Sequence, residues 1–173
     1  MDQQQPSISE REAFMAQAII EAKKADLKNE VPVGAVVVVD GEIIGRGFNQ
    51  PITSCDPSAH AEIMALRDAA KNISNYRLKD ATLYVTIEPC TMCAGAIIHS
   101  RVSTLVYGAT EPKAGVAKSQ EQIFEKPYFN HSLEVIDGVM AEECTLVIQE
   151  FFKRRREEKK EEKALKKAQN SKE

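Results

Sequence analysis

The sequence predicts one α/β domain of three layers, with a mixed five-stranded sheet between helices. Three observations carry this. Apolar, β-branched runs alternate along the chain with segments of helical periodicity. Val33-Gly34-Ala35-Val36-Val37-Val38-Val39 is apolar without a break, the pattern of a strand covered on both faces. Asp40-Gly41 follows it directly and signals a tight hairpin turn into a second strand.

In chain order, residues 1–7 are expected to be disordered. Ser9-Glu10-Arg11-Glu12 has the form of a capping box and opens a helix with Met15, Ala18, Ile19 and Ala22 on its apolar side, ending near Asn29 ahead of Pro32. The hairpin of Val33–Val39 and Glu42–Phe48 comes next. Further strands are expected at Thr82–Thr86, Ser103–Tyr107 and Leu133–Ile136. Helices are expected at Pro57–Ile73, Cys90–Ser100 and from Ala141 to beyond Arg156. On the helix after Asp56-Pro57, a rotation of about 100° per residue puts Ala59, Ile63, Leu66, Ala70 and Ile73 on the apolar side and Asp68 opposite. Glu62 falls at the edge of that apolar arc, where a carboxylate is costly to bury unless something uses it. His60 lies about 200° away, so the two share no face and can converge only off the N-terminal end of the helix. With no internal repeat and no Pro/Gly/Ser linker, residues 8–156 read as the domain and 157–173 as a charged tail, helix or coil.

The 173 residues are 43% hydrophobic and 28% charged, a balance that rules out disorder for most of the chain. The longest apolar run falls far short of the ~20 residues that cross a bilayer, and Met1-Asp2-Gln3-Gln4-Gln5 has neither a basic nor an apolar signal region. A cytoplasmic protein is expected. In a reducing compartment Cys55, Cys90, Cys93 and Cys144 are metal or reactive-thiol candidates and not disulfides. The net charge is −3, yet the segment from Lys153 onward holds ten Lys and Arg against five Glu, which leaves −8 on the rest. An acidic body thus ends in a basic arm. The overall charge gives no reason to expect nucleic-acid binding, but Lys153-Arg154-Arg155-Arg156 can hold phosphates locally, within a screening length of about 8 Å. A solvated helical tail explains the same residues equally well.

Chemistry concentrates in Glu88-Pro89-Cys90-Thr91-Met92-Cys93, between a strand and a helix. Pro89 suits the first helical position, which would leave both cysteines in the first turns, where the helix dipole favours thiolates. With His60 they make a His/Cys/Cys set, three protein ligands for a zinc ion with a fourth position for water. The C-x-x-C alone fits a thioredoxin-like redox pair equally well, although that reading leaves Glu62 unexplained. A closed structural zinc site would need Cys55 or His131, neither of which has supporting spacing. His99 and His131 read as surface or satisfied histidines, and Cys144, spaced with Val147, Ile148 and Phe151, as core packing.

His60-Ala61-Glu62 together with Pro89-Cys90-Thr91-Met92-Cys93 matches the H-x-E and P-C-x-x-C signature of zinc deaminases, in which the Glu moves protons and is not a ligand. The surrounding segments 31–38, Gly47-Phe48-Asn49, 56–67, Asn75-Tyr76-Arg77-Leu78, 81–108 and Phe151-Phe152-Lys153-Arg154-Arg155-Arg156 closely resemble the bacterial tRNA-specific adenosine deaminases of the TadA type. The resemblance runs from about Ser9 to Arg156. It implies a cytidine-deaminase-like fold, a homodimer, one Zn2+ per subunit, and conversion of the wobble adenosine of a tRNA anticodon, chiefly of an arginine tRNA, to inosine. It assigns the zinc to His60, Cys90 and Cys93, proton transfer to Glu62, and reading of the flipped purine to Asn49 and the Ala61 backbone. Contact with the anticodon stem-loop falls to Phe152, Lys153, Arg155 and Arg156, although core packing beside Ile148 suits Phe152 as well. The chain departs from the family at Glu111-Pro112-Lys113-Ala114-Gly115, where Asp-x-Lys-x-Gly is common. Two rival functions use the same residues: a deaminase of a free base or nucleotide such as guanine or cytosine, and a non-catalytic RNA-binding subunit with structural zinc.

Overall fold

A computed structural model describes residues 6–170. The elements run α1 (Ile8–Leu27), β1 (Gly34–Val39), β2 (Glu42–Phe48), α2 (Pro51–Ser54), α3 (Ala61–Asn72), β3 (Thr82–Ile87), α4 (Thr91–Ser100), β4 (Thr104–Ala109), β5 (Glu134–Ile136) and α5 (Ala141–Asn170), with a short 3-10 turn at Ile123–Glu125. The sheet is mixed, in the order β2-β1-β3-β4-β5. β1 pairs antiparallel with both β2 and β3, whereas β3, β4 and β5 are parallel to one another.

Strand alternation sorts the core into two halves. Ala35, Val37, Leu83, Val85, Leu105 and Tyr107 face the layer of α3 and α4, against Ala61, Ala65, Leu66, Ala94 and Ile97. Val36, Val38, Tyr84 and Val106 face the other layer, against Met15, Ala18 and Ile19 of α1 and Cys144 of α5. This is the three-layer arrangement that the alternation of runs and periodic segments predicts.

Several boundaries differ from the sequence reading. The capping box is Ser7–Glu10, two residues upstream of the expected Ser9–Glu12: the Glu10 N–H donates to Ser7 Oγ, and the Ser7 N–H donates to Glu10 Oε2 at 2.8 Å. Of the segment expected to be disordered, residues 1–5 lie outside the described residues and Ser7 is the helix cap. α3 begins at Ala61 and not near Pro57, because Asp56 accepts the N–H and hydroxyl of Ser58 and holds that stretch as a turn. Ile73, assigned to the apolar side, is 43% exposed, and the buried face of α3 is Ala61, Ile63, Ala65, Leu66 and Ala69. Cys90 is the N-cap of α4, with Pro89 outside the helix. The turn α2 was not expected. α5 continues as helix through the segment read as helix or coil. No helix among the described residues is long and apolar enough to cross a membrane.

The placement of α3 depends on close approach to β2. A Cβ at Gly47 would collide with the Ala65 nitrogen and the Ala61 carbonyl, both backbone atoms of α3. Gly47→Ala should therefore cost about 1–3 kcal/mol by overpacking, and it should loosen the helix end that carries His60. Thermal unfolding and bound-metal content measure this together; unchanged values for both would contradict the packing argument.

Candidate active site and metal centre

The site forms where two helix N-termini meet the end of β3. His60 caps α3 and Cys90 caps α4, each with extended backbone, so both side chains project from the ends of their helices and not from the sides. Cys93 sits one turn into α4 and is fully buried. His60 Nδ1 lies 3.8 Å from Cys90 Sγ and 3.5 Å from Cys93 Sγ, and the three ligand atoms fall within 4.8 Å of one another. A tetrahedral zinc at ordinary bond lengths sets nitrogen and sulfur about 3.6 Å apart, so the donor set and its spacing fit that ion. Among the described residues no further His, Cys, Asp or Glu joins this cluster. Cys55 is exposed, His99 is exposed, and His131 Nε2 is engaged with the Val102 carbonyl at 2.8 Å. Cys144 is packed in the core, where burial pushes its thiol up to about 12.

The two sulfurs and the imidazole shift one another's protonation. A hydrogen bond from Cys93 holds Cys90 as the thiolate, pulled down to about 3, and the same bond together with burial pushes the Cys93 thiol far up. The Cys90 hydrogen bond raises His60 in turn. A bound divalent cation would take the place of protons on these ligand atoms.

Glu62, on the first turn of α3, is only 3% exposed. Burial pushes its carboxyl up to about 7, with the neighbouring Cys90 adding to the shift against the opposing pull of its own backbone N–H and His60. A carboxyl poised near neutrality can both take and return a proton. His60 and Glu62 each shift the other's protonation, which places them near one another at the start of α3. Asn49, just past β2, is buried, and its Oδ1 accepts the Ala61 N–H at 2.9 Å. The structure thus brings together His60, Glu62, Cys90, Cys93, Asn49 and Ala61.

The basic residues stand apart on α5. Phe151 is buried at 5% exposure, whereas Phe152 is 43% exposed, which favours an outward role for Phe152 over core packing beside Ile148. Lys153 and Arg156 are exposed. Arg155 pairs with Glu158 at 2.7 Å, and Arg154 makes a two-pronged contact with Asp26 at the end of α1, at 2.7 and 3.2 Å.

Sequence reasoning missed Glu88. It is 2% exposed, and its carboxylate accepts the backbone N–H groups of Glu111 (3.0 Å), Lys118 (2.8 Å) and Ser119 (2.9 Å) together with the Ser119 hydroxyl. Burial alone would raise its pKa, but these bonds outweigh it and hold the carboxyl below the usual range. A Cβ at Gly115 would strike the same carboxylate. The loop is thereby clamped beside Cys90: the Val116 N–H donates to the Pro89 carbonyl at 3.0 Å, and Gly115 bridges to Cys90. Within the loop, Glu111 Oε1 accepts the Lys113 N–H at 3.0 Å, so the longer acidic side chain still closes a local turn. The only cue in the sequence was a carboxylate at the end of an apolar strand; its partners lie 23–31 residues away. Glu88→Gln should release the loop, lowering kcat/KM at least tenfold with metal content kept. A variant that loses metal and activity in step, or keeps both, would remove the loop-positioning role.

The comparisons with known proteins agree with this geometry. The profile described as "Cytidine and deoxycytidylate deaminase zinc-binding region" matches residues 8–109. A "tRNA-specific adenosine deaminase" of Haemophilus influenzae is 55% identical over 162 residues, covering 93% of this chain and 94% of that protein. One of the same name from Bacillus subtilis is 46% identical, covering 84% and 91%. A solved structure from a study of A-to-I editing by tRNA:A34 deaminases at the wobble position of transfer RNA superposes with TM-score 0.76 at 42% identity, over 78% of this chain and 98% of that one. A guanine deaminase from Bacillus subtilis superposes with TM-score 0.57 at 37% identity, over 71% and 82%. The chain belongs to the cytidine and deoxycytidylate deaminase family with its zinc-binding region, and within it to the tRNA-specific adenosine deaminases.

Proposed function

We propose that this chain hydrolyses the wobble adenosine of a tRNA anticodon, chiefly of an arginine tRNA, to inosine and ammonia, working as a homodimer in the cytoplasm. The observation that carries the reading is the buried Glu62 carboxyl beside a three-ligand metal centre. A purely structural metal site has no use for a carboxyl buried there, so the non-catalytic reading leaves that cost unexplained. Thiol exchange leaves His60 and Glu62 equally idle.

His60, Cys90 and Cys93 would hold the zinc, which when bound supplies the Lewis acidity that makes a water nucleophilic near neutral pH. Glu62 takes the proton of the attacking water and delivers it to N1 of the adenine as C6 is attacked. The same carboxyl then carries the second proton to the departing amine, so that water and adenosine become inosine and ammonia. Asn49 has its Oδ1 fixed by the Ala61 N–H, which leaves Nδ2 as the donor for a purine acceptor. Ala61 thus supports reading of the base through Asn49. The loop clamped by Glu88 packs beside Cys90, where the Val116 N–H donates to the Pro89 carbonyl at 3.0 Å. An anticodon loop presents its base already partly unstacked, which lowers the flipping cost. Phe152 supplies an exposed ring for stacking, and Lys153, Arg155 and Arg156 supply charge for phosphates.

Likeness to a guanine deaminase keeps a free-base substrate as the alternative. The tRNA reading is favoured because similarity to the tRNA enzymes extends over almost the whole chain, the basic helix included. The dimer rests on the family resemblance, and α4 is the face proposed for it, since a Cβ at Gly95 would meet nothing within 4 Å among the described residues.

Two outcomes are expected. Glu62→Ala should keep zinc and RNA binding while inosine formation falls by about 10²–10⁴; near wild-type turnover would end the role given to it. Gly95→Leu should shift the sedimenting species from dimer toward monomer, whereas an unchanged mass would place the dimer contact elsewhere.

A further inference from the structure

The part of α5 beyond Arg156 does not contribute to the site described above, yet its charges are sorted. From Lys159 to Gln169 every residue is exposed. At about 100° per residue, Arg156, Lys159, Lys160, Lys163 and Lys166 fall within one arc of about 120°, and Phe152 lies inside the same arc. Glu157, Glu158, Glu161 and Glu162 fall within the opposite arc. That acidic arc continues the side of α5 that faces the body, where Cys144, Phe151 and Arg154 make their contacts. The basic arc faces away.

This order is poor for a helix that supports itself. Glu157/Glu161, Glu158/Glu162 and Lys159/Lys163 place like charges four residues apart, an arrangement that weakens an isolated helix. Among the described residues no ion pair engages Lys159, Lys160, Lys163 or Lys166. Within this part of α5 the ion pairs among the described residues are those of Arg154 and Arg155 with Glu158, which leaves a basic stripe about 15 Å long from Arg156 to Lys166 at 1.5 Å per residue.

The start of the stripe is fixed relative to the site. Arg154 is tied to Asp26 at the end of α1. The chain then leads to Val33, whose carbonyl accepts the Asn49 N–H at 3.0 Å. α5 therefore leaves the body at the end of the sheet that carries His60 and Glu62.

We infer that Lys159, Lys160, Lys163 and Lys166 carry the RNA-binding surface on from Arg156 along α5, where they track the phosphate backbone of the substrate's stem beyond the nucleotides that enter the site. The inference rests on the proposed RNA substrate. A polyanion is the occupant that fits, since the stripe is basic throughout and continues from Phe152 and Arg156.

The test compares full-length protein with the Lys159→Gln/Lys160→Gln/Lys163→Gln/Lys166→Gln variant on anticodon hairpins of short and long stem. Gln matches Lys in helix propensity, and far-UV circular dichroism checks that the helix is kept. Wild type should bind the long stem more tightly than the short one. The variant should lose that preference and flatten the log–log salt dependence of long-stem binding by about 3, at 0.7–0.9 per lost phosphate contact. Its kcat at saturating hairpin should be unchanged. The Lys→Arg counterpart should retain both the preference and the slope. An unchanged slope in the Gln variant would overturn the inference, as would an equal loss in a Glu157→Gln/Glu161→Gln/Glu162→Gln control. A change in sedimenting mass in place of a change in RNA binding would assign the stripe to contact between copies and overturn it as well. Absence of inosine with the wild-type protein would sink the proposed function and leave the binding measurement to judge the stripe separately.

Discussion

The structure depends on two helix ends being brought within bonding distance of one ion. His60 and Cys90 are both caps, the last extended residues before α3 and α4. A cap side chain lies off the end of its helix, so two helices packed side by side on one sheet face can direct ligands to a common point. The sheet provides that packing. α3 sits against Gly47 of β2, α4 follows β3, and the apolar contacts of Ala65, Leu66, Ala94 and Ile97 fix the two helices relative to each other. The core on this face serves catalysis through position alone.

The same geometry accounts for the electrostatics. A carboxyl, an imidazole and two thiols lie close together, and each alters the protonation of its neighbours. Buried carboxyls in this chain are used in opposite ways. Glu62 has its pKa raised by burial, which suits a group that exchanges protons. Glu88 is buried to a similar degree yet held ionised by four donors, which suits a group that fixes a loop. At Glu88 the hydrogen bonds outweigh burial, whereas at Glu62 burial prevails.

Much of this was legible in the sequence, for identifiable reasons. The five strands were readable because β-branched runs and the Asp40-Gly41 turn act locally. The cluster of His60, Cys90 and Cys93 was readable because H-x-E and P-C-x-x-C form a known signature, whereas the C-x-x-C spacing alone left a redox pair open. Boundaries were harder where two local signals compete. Ser7 and Ser9 each begin an S-x-x-E sequence, and only the upstream one forms the box. Pro89 resembles a first helical residue, but its carbonyl is taken by Val116 and the helix starts two residues later. Glu88 was out of reach because every partner of its carboxylate comes from a distant loop. The charge sorting of the tail was present in the sequence too, but helix and coil were both open beyond Glu157, and the sorting has meaning only on the helix that runs to Asn170.

The claim on which the rest stands is that three side chains, and no more, hold the metal. X-ray absorption at the zinc edge of purified, active protein reads that directly. The account predicts one zinc per chain with two sulfurs at about 2.3 Å, one imidazole nitrogen at about 2.0 Å and a single further light atom from solvent. A third sulfur, a second imidazole, or active protein without zinc would contradict it.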